Sequence, residues 1–216
     1  MSQDTTQPHK DEAEKKSSFL PSDPSRRLWV TTACAVGGVA GVATAVPFVG
    51  SFAPSAKARA AGAPVEVDIA TMVPGELRTV EWRGNPIWIM HRTEAQLQEL
   101  PKNDPELADP NSTRPGFTPA YAQNEYRSRR PEIFVCIGIC THLGCSPTPK
   151  LSTGAQPGLP GDWPGGFLCP CHGSTFDLAG RVYANKPAPD NLEIPPYEFS
   201  ADGTRVIIGV DENNQA

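Results

Sequence analysis

Two six-residue stretches decide the fold of this chain: Cys140-Thr141-His142-Leu143-Gly144-Cys145 and Cys169-Pro170-Cys171-His172-Gly173-Ser174. Four of the six cysteines and two of the four histidines of the 216-residue chain lie in these stretches. Cysteine thiolates and histidine imidazoles are the soft and borderline ligands that proteins offer to zinc and iron. Their concentration in two short stretches predicts a metal centre.

A structural zinc site is one interpretation of these ligands. Zinc sites use four ligands and commonly pair two cysteines that are separated by two to four residues. Here only Pro170 separates Cys169 from Cys171, and zinc would leave two of the six candidate ligands unused. A zinc-stabilised binding module without a redox role is therefore kept as an alternative.

A [2Fe–2S] cluster with a neighbouring disulfide accounts for all six residues. In this interpretation one cysteine and one histidine of each stretch bind iron, so that one iron has two cysteines and the other has two histidines. The remaining cysteine of each stretch would then form a disulfide that joins the two loops. The ligands would be Cys140, His142, Cys169 and His172, and the disulfide would link Cys145 to Cys171.

The two stretches resemble the motifs of the Rieske iron–sulfur subunits of cytochrome bc1 complexes. The resemblance extends to residues 86–93 and to Lys186-Pro187-Ala188-Pro189, and it covers about residues 26–210. Rieske domains of ring-hydroxylating oxygenases are similar but lack the additional cysteine pair. The resemblance implies an all-β, Rieske-type antiparallel β-sandwich, with a cluster-binding subdomain at about residues 136–189 and a proline loop at residues 186–189. The family usually has glycine in place of Lys186.

The resemblance also implies an activity and partners. Members of this family take an electron and a proton from ubiquinol, or another quinol, at cytochrome b and pass the electron to cytochrome c1. We therefore expect a membrane-embedded, dimeric quinol–cytochrome c reductase. His172, or else His142, would contact the quinol and accept its proton. The small Rieske subunit of a periplasmic molybdenum oxidase, such as arsenite oxidase, is a second redox interpretation.

Further residues around the cluster are assigned by the same resemblance. Leu143 would cap the cluster, and Ser174 would donate a hydrogen bond to a bridging sulfide. Gly144 and Gly173 would allow tight loops. Where the family often has a tyrosine that donates a hydrogen bond, this chain has Phe176, which predicts a lower redox potential.

The N-terminal part of the chain is predicted to anchor it in a membrane. Residues 28–52 contain no charge, and at about 1.5 Å per residue this stretch can cross a hydrocarbon core of about 30 Å. Arg26-Arg27 before the stretch resembles a twin-arginine export signal. More basic residues precede the stretch than follow it, so the N-terminus is expected in the cytoplasm and the head in the periplasm of a bacterial inner membrane. A cleaved signal peptide is the alternative.

The remaining patterns divide the chain into segments. Residues 1–25 read as a cytoplasmic tail, 26–52 as the flank and anchor, 53–64 as a flexible hinge, and 65–212 as the Rieske domain. The net charge of −5 argues against a nucleic-acid partner. Strands are predicted at residues 65–69, 76–82, 86–92, 132–139, 167–168, 175–177, 192–194, 197–199 and 204–210.

Other local features are predicted from single residues. Gly84-Asn85 is expected to form a turn, and residues 93–100 a short helix that ends before Pro101. Residues 102–130 are predicted to be a surface loop. His91 and Cys136 are interpreted as structural residues of the core rather than as ligands.

Overall fold

The structure is a computed structural model that describes residues 23–55 and 62–211. Two compact units divide after Ser55. The predicted tail up to residue 22 and residues 56–61 of the predicted hinge lie outside the described residues, as do residues 212–216.

The N-terminal unit contains one long helix, α1, which spans Pro24–Gly50. Asp23 caps it, because its carboxylate accepts a hydrogen bond from the backbone N–H of Ser25 at 2.9 Å. The helix has 27 residues, which corresponds to about 40 Å at 1.5 Å per residue. It is the one helix of the described residues that is long and apolar enough to cross a membrane.

The second unit is built from nine short strands. They are β1 (Val65–Asp68), β2 (Leu77–Trp82), β3 (Asn85–His91), β4 (Ile133–Ile137), β5 (Thr148–Lys150), β6 (Gly166–Leu168), β7 (Thr175–Phe176), β8 (Tyr197–Phe199) and β9 (Arg205–Ile208). They form three antiparallel sheets in the orders β1-β9-β8, β2-β3-β4 and β5-β6-β7. The predicted all-β class with one N-terminal apolar helix is confirmed.

A single hydrophobic core joins the three sheets. Val67 and Ile208 contribute to it from the first sheet, Ile89 from the second, and Phe167 from the third. Phe167 stacks on the indole of Trp88 in β3, with 4.9 Å between the ring centroids. The third sheet, which carries the second cysteine stretch, is thereby fixed to the rest of the unit.

The β2–β3 hairpin places its turn one residue earlier than predicted. Trp82 pairs with Asn85, so the two turn residues are Arg83 and Gly84 rather than Gly84-Asn85. Both have positive φ, at 51° and 77°. Two such residues form the tight turn whose twist matches that of an antiparallel hairpin, and this explains the shift.

The short helix α2 spans Glu94–Asn103 and is longer than predicted. Thr93 caps it: the Thr93 side chain accepts from the N–H of Gln96 at 3.2 Å, and the Gln96 side chain accepts from the N–H of Thr93 at 2.9 Å. The prediction that the helix ends before Pro101 was wrong. Pro101 removes only one backbone hydrogen bond, and the last turn continues into a 3₁₀ turn at Asp104–Glu106.

The prediction that residues 102–130 form a surface loop is correct for most of the segment, which is irregular and mostly exposed or half-buried, but wrong for its buried residues. The segment contains 3₁₀ turns at Asp104–Glu106 and Ala120–Ala122 and the fully buried Arg127 near its end. The guanidinium of Arg127 donates to the carbonyls of Ala179 (2.9 Å), Gly180 (3.2 Å) and Leu192 (2.6 Å). This polar network fixes the end of the segment to the domain interior.

Residues 192–194 do not form the predicted strand. Leu192 and Ile194 are buried, yet the backbone bonds of their segment go to three different parts of the chain. The N–H of Ile137 donates to the carbonyl of Glu193 at 2.8 Å, and the N–H groups of Leu192 and Ile194 donate to the carbonyls of residues 180 and 117. The alternation of buried and exposed residues therefore reflects packing against β4 without regular pairing. His91 and Cys136 are structural, as predicted: the Nδ1 of His91 lies 2.9 Å from the carbonyl oxygen of Met72, and Cys136 is buried in β4.

Candidate metal centre

The two cysteine stretches fold into loops with the same backbone frame. In the first loop, the N–H of Cys140 donates to the carbonyl of Cys145 at 2.8 Å, and the N–H of Gly144 donates to the carbonyl of Cys140 at 3.1 Å. The second loop repeats both bonds, from Cys169 to Ser174 at 2.7 Å and from Gly173 to Cys169 at 2.9 Å. The fifth residue of each loop has positive φ, 81° in Gly144 and 76° in Gly173, a conformation that glycine adopts without strain.

The four predicted ligands differ in burial. Cys140 and Cys169 are each only 2% exposed, His142 is half-buried, and His172 is exposed. The imidazoles of His142 and His172 lie edge to face, with 4.7 Å between the ring centroids. Each loop thus contributes one thiol and one imidazole. The two thiols lie toward the protein interior, and the two imidazoles lie toward the solvent.

The environment of the thiols favours their neutral form in the chain alone. Burial raises the pKa of the Cys140 thiol, and the neighbouring Cys169 thiol raises it further. Two buried thiols side by side cannot both ionise without a cation to balance them. A metal that binds both as thiolates supplies this charge, so the pair has the properties of a metal-binding pair.

The disulfide between the loops is present as predicted. Cys145 and Cys171 are bonded across a sequence separation of 26 residues. The Sγ of Cys169 lies within 4.8 Å of both of their sulfurs. Because disulfide sulfurs are not thiolate ligands, these three residues do not form a metal site, and two thiols with two imidazoles remain as donors. This donor set fits a mixed-ligand [2Fe–2S] cluster, which needs two of each.

The proline loop, residues 186–189, is fastened to both cysteine loops. The N–H of Ala188 donates to the buried Oγ of Ser174 at 2.9 Å, and the Oγ1 of Thr141 donates to the carbonyl of Asp190 at 2.6 Å. Arg114 adds a hydrogen bond to the carbonyl of Pro189. Hydrogen bonds thus hold the proline loop, with the adjoining Asp190, to both cysteine loops.

The lysine at the start of the proline loop fits its position. Asn185, directly before the loop, has a positive φ of 58°, whereas Lys186 is not among the described residues with positive φ. The backbone at residue 186 therefore does not require the glycine that the family usually has there.

The other residues assigned by resemblance lie around the same tip. Leu143 is 71% exposed beside His142, whereas Ser174 and Phe176 are fully buried. Phe176 pairs with Phe167 across β6 and β7. It carries no hydroxyl, so this position offers no hydrogen bond to a cysteine sulfur.

Sequence reasoning missed the residues that hold the tip from behind. Thr141 and Arg114 fasten the proline loop, and Arg181 pairs with the buried Asp177 at 2.8 Å just after the second cysteine loop. These contacts connect positions far apart in the chain. No local periodicity could have identified them, although the four arginines among residues 114–130 were visible as charges in a stretch with a single acidic residue, Glu125.

The chain is similar to known proteins along most of its length. Residues 122–198 match the Rieske [2Fe-2S] domain. The chain is 52% identical over 189 residues to the ubiquinol-cytochrome c reductase iron-sulfur subunit of Allochromatium vinosum, covering 88% of this chain and 90% of that one. The subunit of the same name from Rhodospirillum rubrum is 39% identical over 201 residues, covering 92% and 99%. A solved chain of a hyperthermophilic respiratory Complex III is similar over 82% of this chain and 98% of its own, with a TM-score of 0.44 and 22% identity.

Proposed function

The chain belongs to the Rieske iron–sulfur subunits of ubiquinol–cytochrome c reductase, and from this premise we propose how its residues serve electron transfer. It is an electron-transfer subunit of an oxidoreductase complex and carries one Rieske-type [2Fe–2S] cluster. Its electron and proton come from quinol at the quinol-oxidation site of cytochrome b, and the electron passes to cytochrome c1. Neither a molybdenum oxidase subunit nor a zinc module is favoured by the relatives.

The proposed ligands are Cys140, His142, Cys169 and His172. One observation carries this assignment: each of two loops with the same hydrogen-bonded frame presents one buried thiol and one solvent-side imidazole, and a disulfide joins the loops. The frames fix where the donor side chains begin. The disulfide keeps the two halves of the donor set together when the rest of the tip is exposed to solvent.

The proposed cluster supplies one-electron chemistry at a raised potential. Because two of its ligands are neutral imidazoles, its reduction potential lies at roughly −150 to +300 mV, compared with about −400 mV for plant-type all-cysteine clusters. In this chain the two neutral ligands that raise the potential would be His142 and His172.

The exposed histidine gives the subunit a group that can take the proton of a quinol. His172 is exposed and His142 is half-buried, so His172 is the first candidate for the quinol contact and His142 the second. The ring nitrogen that ligation leaves free accepts the hydroxyl proton and holds it until the head has left the quinol site. The same side chain is then both iron ligand and proton acceptor, and this couples the uptake of the electron to the uptake of the proton.

The surroundings of the histidines fit docking into an apolar site. Leu143 is 71% exposed directly after His142, and among the described residues 62–211 only it and Val73 are large apolar side chains that are exposed. We assign it to contact with the apolar wall of the quinol-oxidation site. The buried Ala188 of the proline loop and the buried Ser174 close the inner side of the tip and exclude water there.

The anchor and the partners complete the proposal. The chain is a membrane-anchored subunit, with α1 as the candidate span. In the proposed arrangement, the membrane is the bacterial inner membrane, the N-terminus is cytoplasmic, the head is periplasmic, and the complex is a dimer. Arg26-Arg27 would direct export of the folded head, and the linker after α1 would act as a hinge.

Electron paramagnetic resonance of the reduced, full-length protein tests the cofactor and its ligands. We expect about two irons and two acid-labile sulfides per chain and a rhombic spectrum with a low average g-value, as mixed imidazole and thiolate ligation produces. His142→Ala and His172→Ala should each abolish this spectrum. His91→Ala, which removes a histidine bonded to the carbonyl of Met72, should retain it. A silent spectrum with stoichiometric zinc would contradict the assignment.

A kinetic experiment tests the function in the complex. Quinol-dependent reduction of cytochrome c by the purified complex should fall to the background rate with His172→Ala and remain with His91→Ala. A complex that keeps its full rate without the histidine ligand would exclude the proposed route of the electron.

A further inference from the structure

A half-open cavity of about 520 Å³ lies beside the start of the proline loop. It is formed by α2 and the 3₁₀ turn after it, by the segment between β5 and β6, and by the start of the proline loop. The lining residues that matter here are Asn103, Glu106, Asp162, Trp163, Thr175 and Tyr183. None of them belongs to the proposed metal centre.

Buried polar groups without partners face this cavity region. Asn103 and Thr175 are 9% and 4% exposed, and their side chains make no hydrogen bond with any residue that the structure describes. The hydroxyl of Tyr183, in a residue that is 8% exposed, also has no partner among the described residues. Buried polar groups in proteins are nearly always paired, so the unpartnered hydroxyl of Tyr183, together with the unpaired side chains of Asn103 and Thr175 beside the same cavity, indicates a place for a polar ligand.

The charge of the cavity is mainly negative. Glu106 and Asp162 are exposed at its rim, and neither forms an ion pair with a residue in the described ranges. Glu99 also lines the cavity, but it is paired with Lys102 at 2.6 Å. Lys186 is the one basic residue of the described lining, so two free carboxylates face a single ammonium.

The cavity also has an aromatic wall. The rings of Trp163 and Tyr183 lie 5.8 Å apart between centroids, at 43° to one another. The indole of Trp163 is held in place because its Nε1 donates to the carbonyl of Lys150 at 2.8 Å. Because Trp163 is only 2% exposed and Tyr183 8%, these rings form a fixed floor of the cavity and offer no open face for stacking.

We propose that this cavity binds an arginine side chain presented by a short segment of a partner protein. A guanidinium has five N–H donors in a planar fork and binds carboxylates in pairs. It would donate to Glu106 and Asp162 and to the free oxygens of Asn103, Thr175 and Tyr183. The cavity volume lies within the range of small-ligand sites and holds an arginine side chain with parts of its neighbours.

Binding of a defined peptide to the full-length, cluster-containing protein in detergent tests this proposal. The probe is N-acetyl-Gly-Arg-Gly-amide, and its matched control is N-acetyl-Gly-Gln-Gly-amide, both titrated by saturation-transfer NMR. We expect millimolar binding of the arginine peptide and at least tenfold weaker binding of the glutamine peptide. Glu106→Gln and Asp162→Asn should each weaken the arginine peptide by about fivefold, as expected for partly exposed, charge-assisted contacts.

Two further variants separate the site from general electrostatics. Tyr183→Phe, which removes only the unpartnered hydroxyl, should weaken the peptide by about threefold. Glu81→Gln removes an exposed carboxylate of β2 that does not line the cavity, and it should leave binding unchanged. Equal binding of both peptides, no binding up to about 10 mM, or equal effects of Glu81→Gln and Glu106→Gln would overturn the proposal. The paramagnetic resonance spectrum of the same samples reports the cluster separately, so this result does not depend on the proposed electron transfer.

Discussion

The sharpest test of how the tip is held together is Ser174→Ala. The Oγ of Ser174 is fully buried and accepts the N–H of Ala188 at 2.9 Å, so one hydroxyl connects the second cysteine loop to the proline loop. Its own proton is free to be donated toward the sulfur atoms of the site, and a hydrogen bond from Ser174 counteracts the raised pKa of the Cys140 thiol. The substitution removes both bonds and leaves the backbone in place.

The size of the effect on stability follows from burial. Without the acceptor, the N–H of Ala188 stays buried and unpaired, because residue 188 is only 3% exposed. An unsatisfied buried donor costs about 1–3 kcal/mol, whereas the loss of a single oxygen atom adds little cavity volume. We therefore expect the free energy of unfolding of the cluster-containing protein to fall by about 2 kcal/mol.

The effect on the redox potential comes from the hydrogen bond that the Ser174 hydroxyl donates, not from the one that it accepts. A hydroxyl that donates to sulfur stabilises the more negative, reduced state more than the oxidised state. If this difference is about 1 kcal/mol, its loss lowers the potential by about 40 mV, since 59 mV corresponds to a factor of ten for one electron.

Urea unfolding and redox titration of the same preparation measure the two effects. Ser146→Ala is the matched control, because its hydroxyl donates to the carbonyl of Gly138 at 3.1 Å from an exposed position at the end of the first cysteine loop. It should change the stability by less than about 0.5 kcal/mol and leave the potential where it is. The reasoning fails if Ser174→Ala and Ser146→Ala lower stability equally, or if the potential of Ser174→Ala is unchanged.

Three further predictions concern the tip and its support. Phe176→Tyr should raise the potential by about 40 mV if its hydroxyl reaches a cysteine sulfur, and a redox titration without an upward shift would refute the lowered-potential hypothesis. The double variant Cys145→Ala/Cys171→Ala, which leaves no unpaired thiol, should lose about 3 kcal/mol of stability and release iron to a chelator faster; an unchanged release rate would show that the disulfide does not retain the cluster. Arg127→Met should destabilise the domain by about 3 kcal/mol in urea, because it leaves several buried carbonyls without donors, whereas the exposed Arg205→Met should cost less than about 1 kcal/mol.

The predictable parts of the fold are those with strong local signals. Alternation and apolar runs located β1 to β4 and β6 to β9 to within a few residues, whereas β5 was missed, and the charge-free stretch located α1. The cysteine and histidine spacing located both loops, and the pairing of Cys145 with Cys171 followed because a cluster with two cysteine and two histidine ligands leaves these two cysteines over. These features depend on residues that are near in sequence or chemically conspicuous.

The parts that were missed depend on contacts between distant residues. Arg127 reads as one charge in a proline-rich segment, and nothing nearby shows that it bonds to carbonyls of residues 179, 180 and 192. Burial lowers the pKa of Arg127 to about 10, still far above neutrality, so the domain keeps a charged group in its interior and needs these carbonyls around it. The polar ties of the proline loop, through Thr141 and Arg114, were invisible for the same reason.

The shared frame of the two cysteine loops has a consequence for how this domain tolerates changes in length. Adding or deleting a residue between Cys140 and Cys145, or between Cys169 and Ser174, would break the two hydrogen bonds that close each loop and would displace a donor side chain. Residues 152–158, by contrast, are exposed or half-buried and lie in the connection between the paired strands β5 and β6, ahead of the buried Trp163. Tags or fluorophores therefore belong at residues 152–158, where the pairing of β5 with β6 separates the insertion from the metal-binding tip.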